Sequence, residues 1–527
     1  MDAERWICHL WLSIIFKLTF QMKKIKIVWV IIFIVGLGVR CTELFHPIDT
    51  SEWRESDVSS IARNYYRNGM EFTHPQIDWG GTGPGYTESE FPVYPYLIAL
   101  SYKLFGVWEA TGRLISFFFA LGTLIIFFRL SSYLFTQRTA IAVSSFFALS
   151  PLLMITSNTV QPDSMMFFFY VFSAFSFIQW IDNQSTKYYI FTFVFTALAL
   201  LCKLPAINIG IFFVLIIVIK KDWRFLLKPK VILLGILSVL PSIIWYSYSH
   251  TFYTRYGNSL GLSNQYAWIS PEFLTNSLYI RGIIKQELIN VWAISGPFIV
   301  LLALFSTKLI KSKNIIFPVC WLASAVIFYI IAARTTSSPS SYYYHIFSTP
   351  AASMLLGISV IEIFDKYFPL MRLKTNPSTD FRNVLKSRLI IPVTIFLVLF
   401  FLVFDFKYLS QSKHSVFKTL DFYACKSNLS ELIPKNSLIL VTGGICSEGK
   451  YLNAYNASYF FYWLDKKGFN ICIGDQTIEN VKAFKARGAE FYVAETQAMR
   501  QQQGFEDLMR KEFKIELECN GIILFKL

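Results

Sequence analysis

The sequence predicts a polytopic α-helical membrane protein with a small α/β domain at its C-terminal end. Three observations carry that prediction. Of 527 residues, 54% are hydrophobic and only 16% are charged, whereas a soluble domain carries about 25% charged residues. Continuously apolar runs of roughly 20 residues recur, which is the length that crosses a bilayer, and they do not alternate as the strands of a membrane barrel would. The basic residues give a formal net charge of +15 and gather in short segments between those runs. That distribution sets membrane orientation, so the positive excess is assigned to topology and not to a nucleic-acid surface.

The prefix 1–22 is mildly apolar, with Lys17 inside it. Met22-Lys23-Lys24-Ile25-Lys26 then opens a long apolar run and looks like a second start, so the prefix is expected to be non-native or to lie on the membrane surface. Span one, 27–45, leaves an N-terminus held inside by Lys23, Lys24 and Lys26 and is kept as an anchor. A large outer loop, 46–111, follows. It is expected to hold a helix at 57–68, between the capping residues Ser56 and Asp57 and the terminator Gly69, and a juxtamembrane helix at 92–105. Spans then follow at 112–134, 139–157 and 164–181, as a short hairpin at 187–202 and 204–219, and at 231–249, 287–306, 314–333, 346–364 and 389–405. The count is about eleven. It places every basic cluster, from Arg138 through Lys220–Lys230 to Lys366–Arg388, on one side.

The membrane domain is thus bounded at 23–409. Residues 410–527 change character: strands are expected at 437–441, 490–494 and 521–526, with a helix at 478–487. Cys425, Cys446, Cys472 and Cys519 all fall here. On an outer face they allow one or two disulfides, with the pairing open. Cys8, Cys41, Cys202 and Cys320 lie in or near apolar spans and are expected to be inert. No Cys-x-x-Cys pair or histidine cluster points to structural zinc.

Ionisable residues gather at the outer ends of the spans in four places. The first is Trp53-Arg54-Glu55-Ser56-Asp57, with Arg63 and Arg67 on one helix face. Asp57 could act as a helix cap, but Ser56 already fills that role. A carboxylate among arginines suits a site that takes a proton while holding a phosphate. The second is Glu88-Ser89-Glu90-Phe91-Pro92, where Glu90 is as readily a solvated interfacial acid. It follows a glycine-rich stretch, 80–85, that lacks the ending of a nucleotide loop and is expected to be flexible. The third is Asp163, costly at the mouth of an apolar helix unless paired; its plainer role is to cap that helix. Lys203 at the hairpin tip and Arg334 after its span offer cations for a phosphate, although Lys203 could simply snorkel. The fourth is Tyr342-Tyr343-Tyr344-His345, an interfacial aromatic belt in which Tyr344 and His345 could meet a sugar or phosphate.

In their order along residues 23–365 these motifs resemble the GT-C membrane glycosyltransferases, nearest to the glycosyltransferase family 39-like group of protein O-mannosyltransferases and lipid A aminoarabinose transferases. The resemblance rests on Trp53-Arg54-Glu55-Ser56-Asp57 running into Ile61-Ala62-Arg63-Asn64, on Glu90-Phe91-Pro92, on Pro162-Asp163-Ser164, on Lys203 and on Tyr343-Tyr344-His345. It implies a polyprenyl-phosphate sugar as donor and an acid of the first outer loop as base. That role falls on Asp57. The group's Asp-Glu pair stands slightly earlier, where this chain has Arg54-Glu55, so Glu55 is a rival and Asp49 a remoter one. Arg63, Lys203, Arg334 and His345 would stabilise the departing phosphate, and Arg54, Glu90, Asp163 and Tyr344 complete the substrate-binding set. A single displacement inverts the anomeric centre.

No cofactor is demanded, and a divalent cation fits if Asp57 and Asp163 converge. The acceptor is a lipid, a glycan or a protein, and membrane lipids surround the chain. A bacterial inner membrane with the site facing the periplasm fits this reading, although Asn428-Leu429-Ser430 and Asn456-Ala457-Ser458 would be glycosylation sites in an endoplasmic reticulum protein. A transporter or flippase for lipid-linked sugars would instead place charges near mid-membrane and break helices in paired halves. A glycan polymerase or ligase is chemically closer. A non-catalytic scaffold would not need the acid and arginine clustering in the first loop.

Overall fold

A computed structural model describes residues 53–527, without 263–267, 308, 312–313, 372–380 and 417–419, together with single positions between 34 and 48. The prefix 1–22, most of span one and Asp49 lie outside the described residues. The protein is a bundle of apolar helices joined to a small sheet domain. Among the described residues, five helices are long and apolar enough to cross a membrane: Ala110–Leu134, Asp163–Asn183, Pro229–Tyr256, Pro339–Leu370 and Lys386–Asp405. Shorter apolar helices at Thr186–Cys202, Leu204–Lys220, Gly296–Ser306 and Ile316–Ile331 pack among them.

Two expected spans are broken. Residues 139–157 form Gln137–Ala148 and Pro151–Thr156; Pro151 lacks an N–H and suits only the first turn of a new helix. The span expected at 287–306 divides at 291–295, where Ala293 and Ile294 adopt φ of 45° and 60°. Ser277–Asn290 lies before the break and Gly296–Ser306 after it.

Polar contacts sort by end of the bundle. At one end Arg138 pairs with Asp365 at 2.9 Å and Lys220 with Asp182 at 2.7 Å. These residues all sit on the side that the charge pattern marks as inner. At the other end Lys203 pairs with Asp163, Arg54 with Glu90 and His250 with Glu88. Ion pairs therefore tie the helices at both rims, and most of the apolar side chains between them form one large core, with a smaller separate cluster around Ala303, Ile358 and Ile391.

The sheet domain holds β1 (Leu438–Thr442), the short hairpin β2 (Ser447–Glu448) and β3 (Tyr451–Leu452), then β4 (Gly468–Ile471), β5 (Ala489–Glu495), β6 (Lys514–Cys519) and β7 (Ile522–Lys526). Five of these strands form a mixed sheet in the order β4-β1-β5-β7-β6, parallel from β4 to β5 and antiparallel beyond. Alternation along each strand assigns its two faces. Leu440, Tyr492 and Phe525 share a core with Val481 and Met509 from the helices Ile478–Ala486 and Phe505–Glu512. Ile439, Val441, Phe491 and Val493 face the other way and join the main core through Phe422 and Phe460. Cys425 bonds Cys519 and Cys446 bonds Cys472. The helix Phe381–Val416 runs past the boundary drawn at 410, and the outer domain's first helix is Leu420–Leu432.

The first outer loop is clamped onto this domain. Its helix is already formed at Trp53 and runs to Arg67, four residues earlier than expected. Ser56 and Asp57 are therefore buried interior positions and not caps; contacts to neighbouring elements outweigh their capping preference. The helix packs against Val93–Phe105 and Ser458–Leu464. The glycine-rich stretch expected to be flexible is paired with β4. The Gly81 N–H donates to the Gly468 carbonyl at 2.8 Å, and the Gly468 N–H donates to that of Asp78 at 3.0 Å. Gly81 has φ +68°, and a Cβ there would stand 2.4 Å from the Phe469 ring, so this approach requires glycine.

Candidate active site

The segment Glu88–Phe91 is the scaffold of the site. Its backbone is fixed from two sides. The Ser89 N–H donates to the Ser249 hydroxyl at 2.8 Å, Trp245 Nε1 donates to the Ser89 carbonyl at 3.0 Å, and the Phe91 N–H donates to the Leu201 carbonyl at 3.1 Å. These bonds place the Glu88 and Glu90 side chains at the rim shared by the helices Pro229–Tyr256 and Thr186–Cys202. A cavity of about 810 Å³ opens there. Its lining combines Glu88, Glu90, Lys203, His250 and Tyr344 with the apolar Leu204, Ile207, Ile211, Phe328 and Ile331.

The charged residues around it come as pairs. Lys203 follows directly on the Thr186–Cys202 helix, and its Nζ lies 2.8 Å from both oxygens of Asp163, with each side chain buried. Asp163 opens its own helix after Pro162. The Lys203 ammonium also stands over the rings of Tyr343 and Tyr344, 4.3 and 5.3 Å from their centroids, which holds a buried cation by its ring faces as well as by charge. Arg54 donates to the Leu260 carbonyl at 3.1 Å and pairs with Glu90. His250 Nδ1 lies 2.8 Å from Glu88, and Ser259 donates to the second oxygen of that carboxylate at 2.5 Å.

Asp57 sits behind Arg54. Its Oδ1 accepts from Trp79 Nε1 at 2.9 Å, and its Oδ2 is buried without a hydrogen-bond partner among the described residues. Burial pushes this carboxyl up to about 7; the Trp79 N–H, the Arg54 charge and the Ser458 hydroxyl hold it from rising further, and Asp78 adds to the rise. A carboxylate in that state can accept a proton near neutral pH.

Other expected residues lie elsewhere. Glu55 turns to Arg113 at 3.4 Å, because two helical steps carry it to the opposite face from Asp57. Arg63 and Arg67 do share a face, but that face meets the outer domain. Arg63 binds Asp78 at 2.9 Å and the Tyr462 carbonyl at 2.9 Å, and Arg67 binds both oxygens of Asp465 at 2.7 and 2.9 Å. Arg334 points to the β2–β3 hairpin, donating to the Leu452 carbonyl at 3.1 Å and to Asn453 at 2.9 Å. His345 is fully buried, between Glu287 at 2.7 Å and the Thr336 carbonyl at 2.7 Å. Arg63, Arg334 and His345 thus hold internal partners and do not line the cavity, whereas Lys203 is paired and does line it. Asp163 and Asp57 hold different partners, Lys203 and Trp79, and do not form a joint carboxylate site. Among the described residues, the one group with metal-ligand spacing is Cys446, Cys472 and Asp475, where both sulfurs are in a disulfide.

The Glu88–His250 pair was missed. The signal that could have found it is the one used for Asp163: an ionisable residue at the outer end of an apolar span, here after Tyr246-Ser247-Tyr248-Ser249.

Comparison with known proteins agrees with this architecture. The family described as dolichyl-phosphate-mannose-protein mannosyltransferase matches residues 88–246. ArnT from Cupriavidus metallidurans bound to undecaprenyl phosphate is similar over 95% of this chain and 97% of its own, with a TM-score of 0.60 at 12% identity. The archaeal oligosaccharyltransferase AglB from Archaeoglobus fulgidus, in complex with an inhibitory peptide and a dolichol-phosphate, is similar over 90% of this chain and 70% of its own, with a TM-score of 0.54 at 11% identity. No curated protein matches by sequence. The protein has the GT-C fold and is an integral membrane protein.

Proposed function

We propose that the protein is a membrane glycosyltransferase that moves a sugar from a polyprenyl-phosphate carrier to an acceptor at the outer face of the membrane. The observation that carries this reading is the cavity itself. Glu88, Glu90, Lys203 and His250, from segments distant in sequence, line it together with many apolar side chains, and Arg54 and Asp163 pair with two of these charges. An amphipathic ligand with an anionic head and a hydrocarbon tail fits that combination. The two structural relatives described with undecaprenyl phosphate and dolichol-phosphate hold ligands of this kind.

The chemistry follows from the residues. An acceptor hydroxyl or amine attacks the anomeric carbon, the carbon–oxygen bond to the phosphate breaks, and the bond electrons leave with the lipid phosphate. Asp57 takes the acceptor's proton. Lys203 and Arg54 stabilise charge on the departing phosphate, each oriented by its own carboxylate, Asp163 or Glu90. One displacement inverts the anomeric centre. Cationic side chains supply the electrostatic role, so this scheme needs no divalent ion. Glu55, held by Arg113, serves the fold. The outer face is assigned from the basic inner rim, and a bacterial inner membrane with a periplasmic site is the setting that fits.

The test is transfer by purified protein from polyprenyl-phosphate sugars. Asp57→Asn is expected to lower the rate by about 10²–10⁴-fold, the usual contribution of a general base, with the fold retained. Glu55→Gln is expected to keep catalysis in whatever fraction stays folded. Transfer at the parent rate in Asp57→Asn would remove Asp57 from the mechanism.

A further inference from the structure

The charges around the cavity do not balance. Arg54 is matched by Glu90 and Lys203 by Asp163. The Glu88 carboxylate has a neutral hydroxyl, Ser259, and the His250 ring. Leaving aside Asp57, whose charge Asp57→Asn removes, two permanent cations stand against three carboxylates, and one negative charge is left over while the imidazole is neutral. A phosphate anion entering that surround meets one carboxylate with no permanent cation beside it. Protonation of His250 removes the excess. Imidazole is the side chain whose charge changes between about pH 5 and 8. Glu88 holds Nδ1, the ring lies on the cavity wall, and the second ring nitrogen has no hydrogen-bond partner among the described residues. Among the described residues the ring also stands beside Tyr253 of its own helix, with ring centroids 5.6 Å apart, and near Ser259 behind Glu88. Glu90, Lys203 and Tyr344 share the cavity wall with it.

We infer that His250, in its imidazolium form and oriented by Glu88, is the third cation of the cavity and donates from Nε2 to the phosphate of the lipid-linked sugar, so that lipid binding takes up one proton. The inference rests on the glycosyltransferase reading of the same cavity. It assigns the two permanently charged pairs to geometry and the Glu88–His250 pair to electrostatic acceptance of the ligand.

The experiment uses full-length protein carrying Asp57→Asn, which removes turnover and the titration of Asp57. The probe is a polyprenyl-phosphate sugar, a phosphodiester whose single charge is constant over this pH range; the uncharged polyprenol is the control. Binding is measured from pH 6 to 8.5, in buffers of different ionisation enthalpy to count protons. The expected result is tighter binding as the pH falls, by up to about tenfold per unit as uptake approaches one proton, with no pH dependence for polyprenol. His250→Gln is expected to abolish the uptake and the slope. Glu88→Gln is expected to tighten binding at pH 8.5, because it removes the unmatched charge, and such a gain cannot come from misfolding. An unchanged slope in His250→Gln overturns the inference and leaves the transferase reading standing. Failure of the parent chain to bind the lipid-linked sugar at any pH overturns both.

Discussion

Glu55 and Asp57 stand two residues apart on one helix and meet opposite surroundings. Glu55 has the Arg113 guanidinium at 3.4 Å. Asp57 has one indole N–H at 2.9 Å and a second oxygen with no partner among the described residues. The first carboxylate is held as a charge in the fold. The second is held where charge is costly, which is the condition that makes a carboxylate a better base.

The rate at saturating donor is therefore expected to rise with pH through about 7, as Asp57 ionises. Saturation separates this limb from the opposite pH dependence of lipid binding. Trp79→Phe removes the N–H that favours the ionised form, so the limb is expected to move up by about one unit, the scale of a hydrogen bond to a charged group. A pH–rate profile of the two proteins checks this, and an unmoved limb in Trp79→Phe would show that another group titrates.

The same carboxyl affects stability in the opposite sense. Its protonated form is favoured by the folded protein, so its contribution is fully present below about pH 4, the range of an unfolded aspartate, and is lost as pH rises through about 7. Asp57→Asn is expected to melt at a higher temperature than the parent at pH 8, with the difference fading towards pH 4. Thermal unfolding across that range is the measurement. A variant that melts lower at pH 8 would contradict the burial argument.

What the sequence showed and what it hid divide along one physical line. Apolar length and basic asymmetry are local signals, and they locate the helices Ala110–Leu134 and Asp163–Asn183 to within a few residues. The strands β1, β5 and β7 are apolar runs and were equally visible. β6 is an edge strand whose residues are mostly half-exposed or exposed, so it lacks that run. Partners are not local. Asp163 and Lys203 stood out as costly charges, but their separation of 40 positions conceals that each neutralises the other. Arg63 stood out as a phosphate ligand because its partners, Asp78 and a domain nearly 400 residues away, cannot be seen from its neighbours.

Removing one member of the Lys203–Asp163 pair leaves the other buried and unmatched. Asp163→Asn is expected to cost about 3–5 kcal/mol of stability. The double substitution Asp163→Leu with Lys203→Met removes both charges and is expected to unfold at a higher temperature than Asp163→Asn while remaining inactive in transfer. Stability and rate measured on the same preparations test this. A double variant that is both stable and active would confine the pair to a structural role.

The arginine face of the loop helix offers the corresponding test for the outer domain. Asp78 is buried against Arg63, whereas Asp465 is half-exposed, pairing with Arg67 at 2.7 Å and reaching Arg63 at 3.1 Å as a second, solvent-screened partner. Exposed pairs contribute about 0–1 kcal/mol, and a buried guanidinium that loses its carboxylate costs about 3–5 kcal/mol. Asp78→Asn is therefore expected to loosen the first outer loop from the sheet domain, seen as faster amide exchange in 53–67 and at β4, while Asp465→Asn leaves exchange near the parent level. Lipid-phosphate affinity separates this clamp from the role first expected of Arg63. An arginine that binds the domain acts on phosphate only through the position of Asp57, so Arg63→Lys is expected to lower the transfer rate with little change in donor affinity. A large loss of donor affinity without loosening of the loop would return Arg63 to the phosphate.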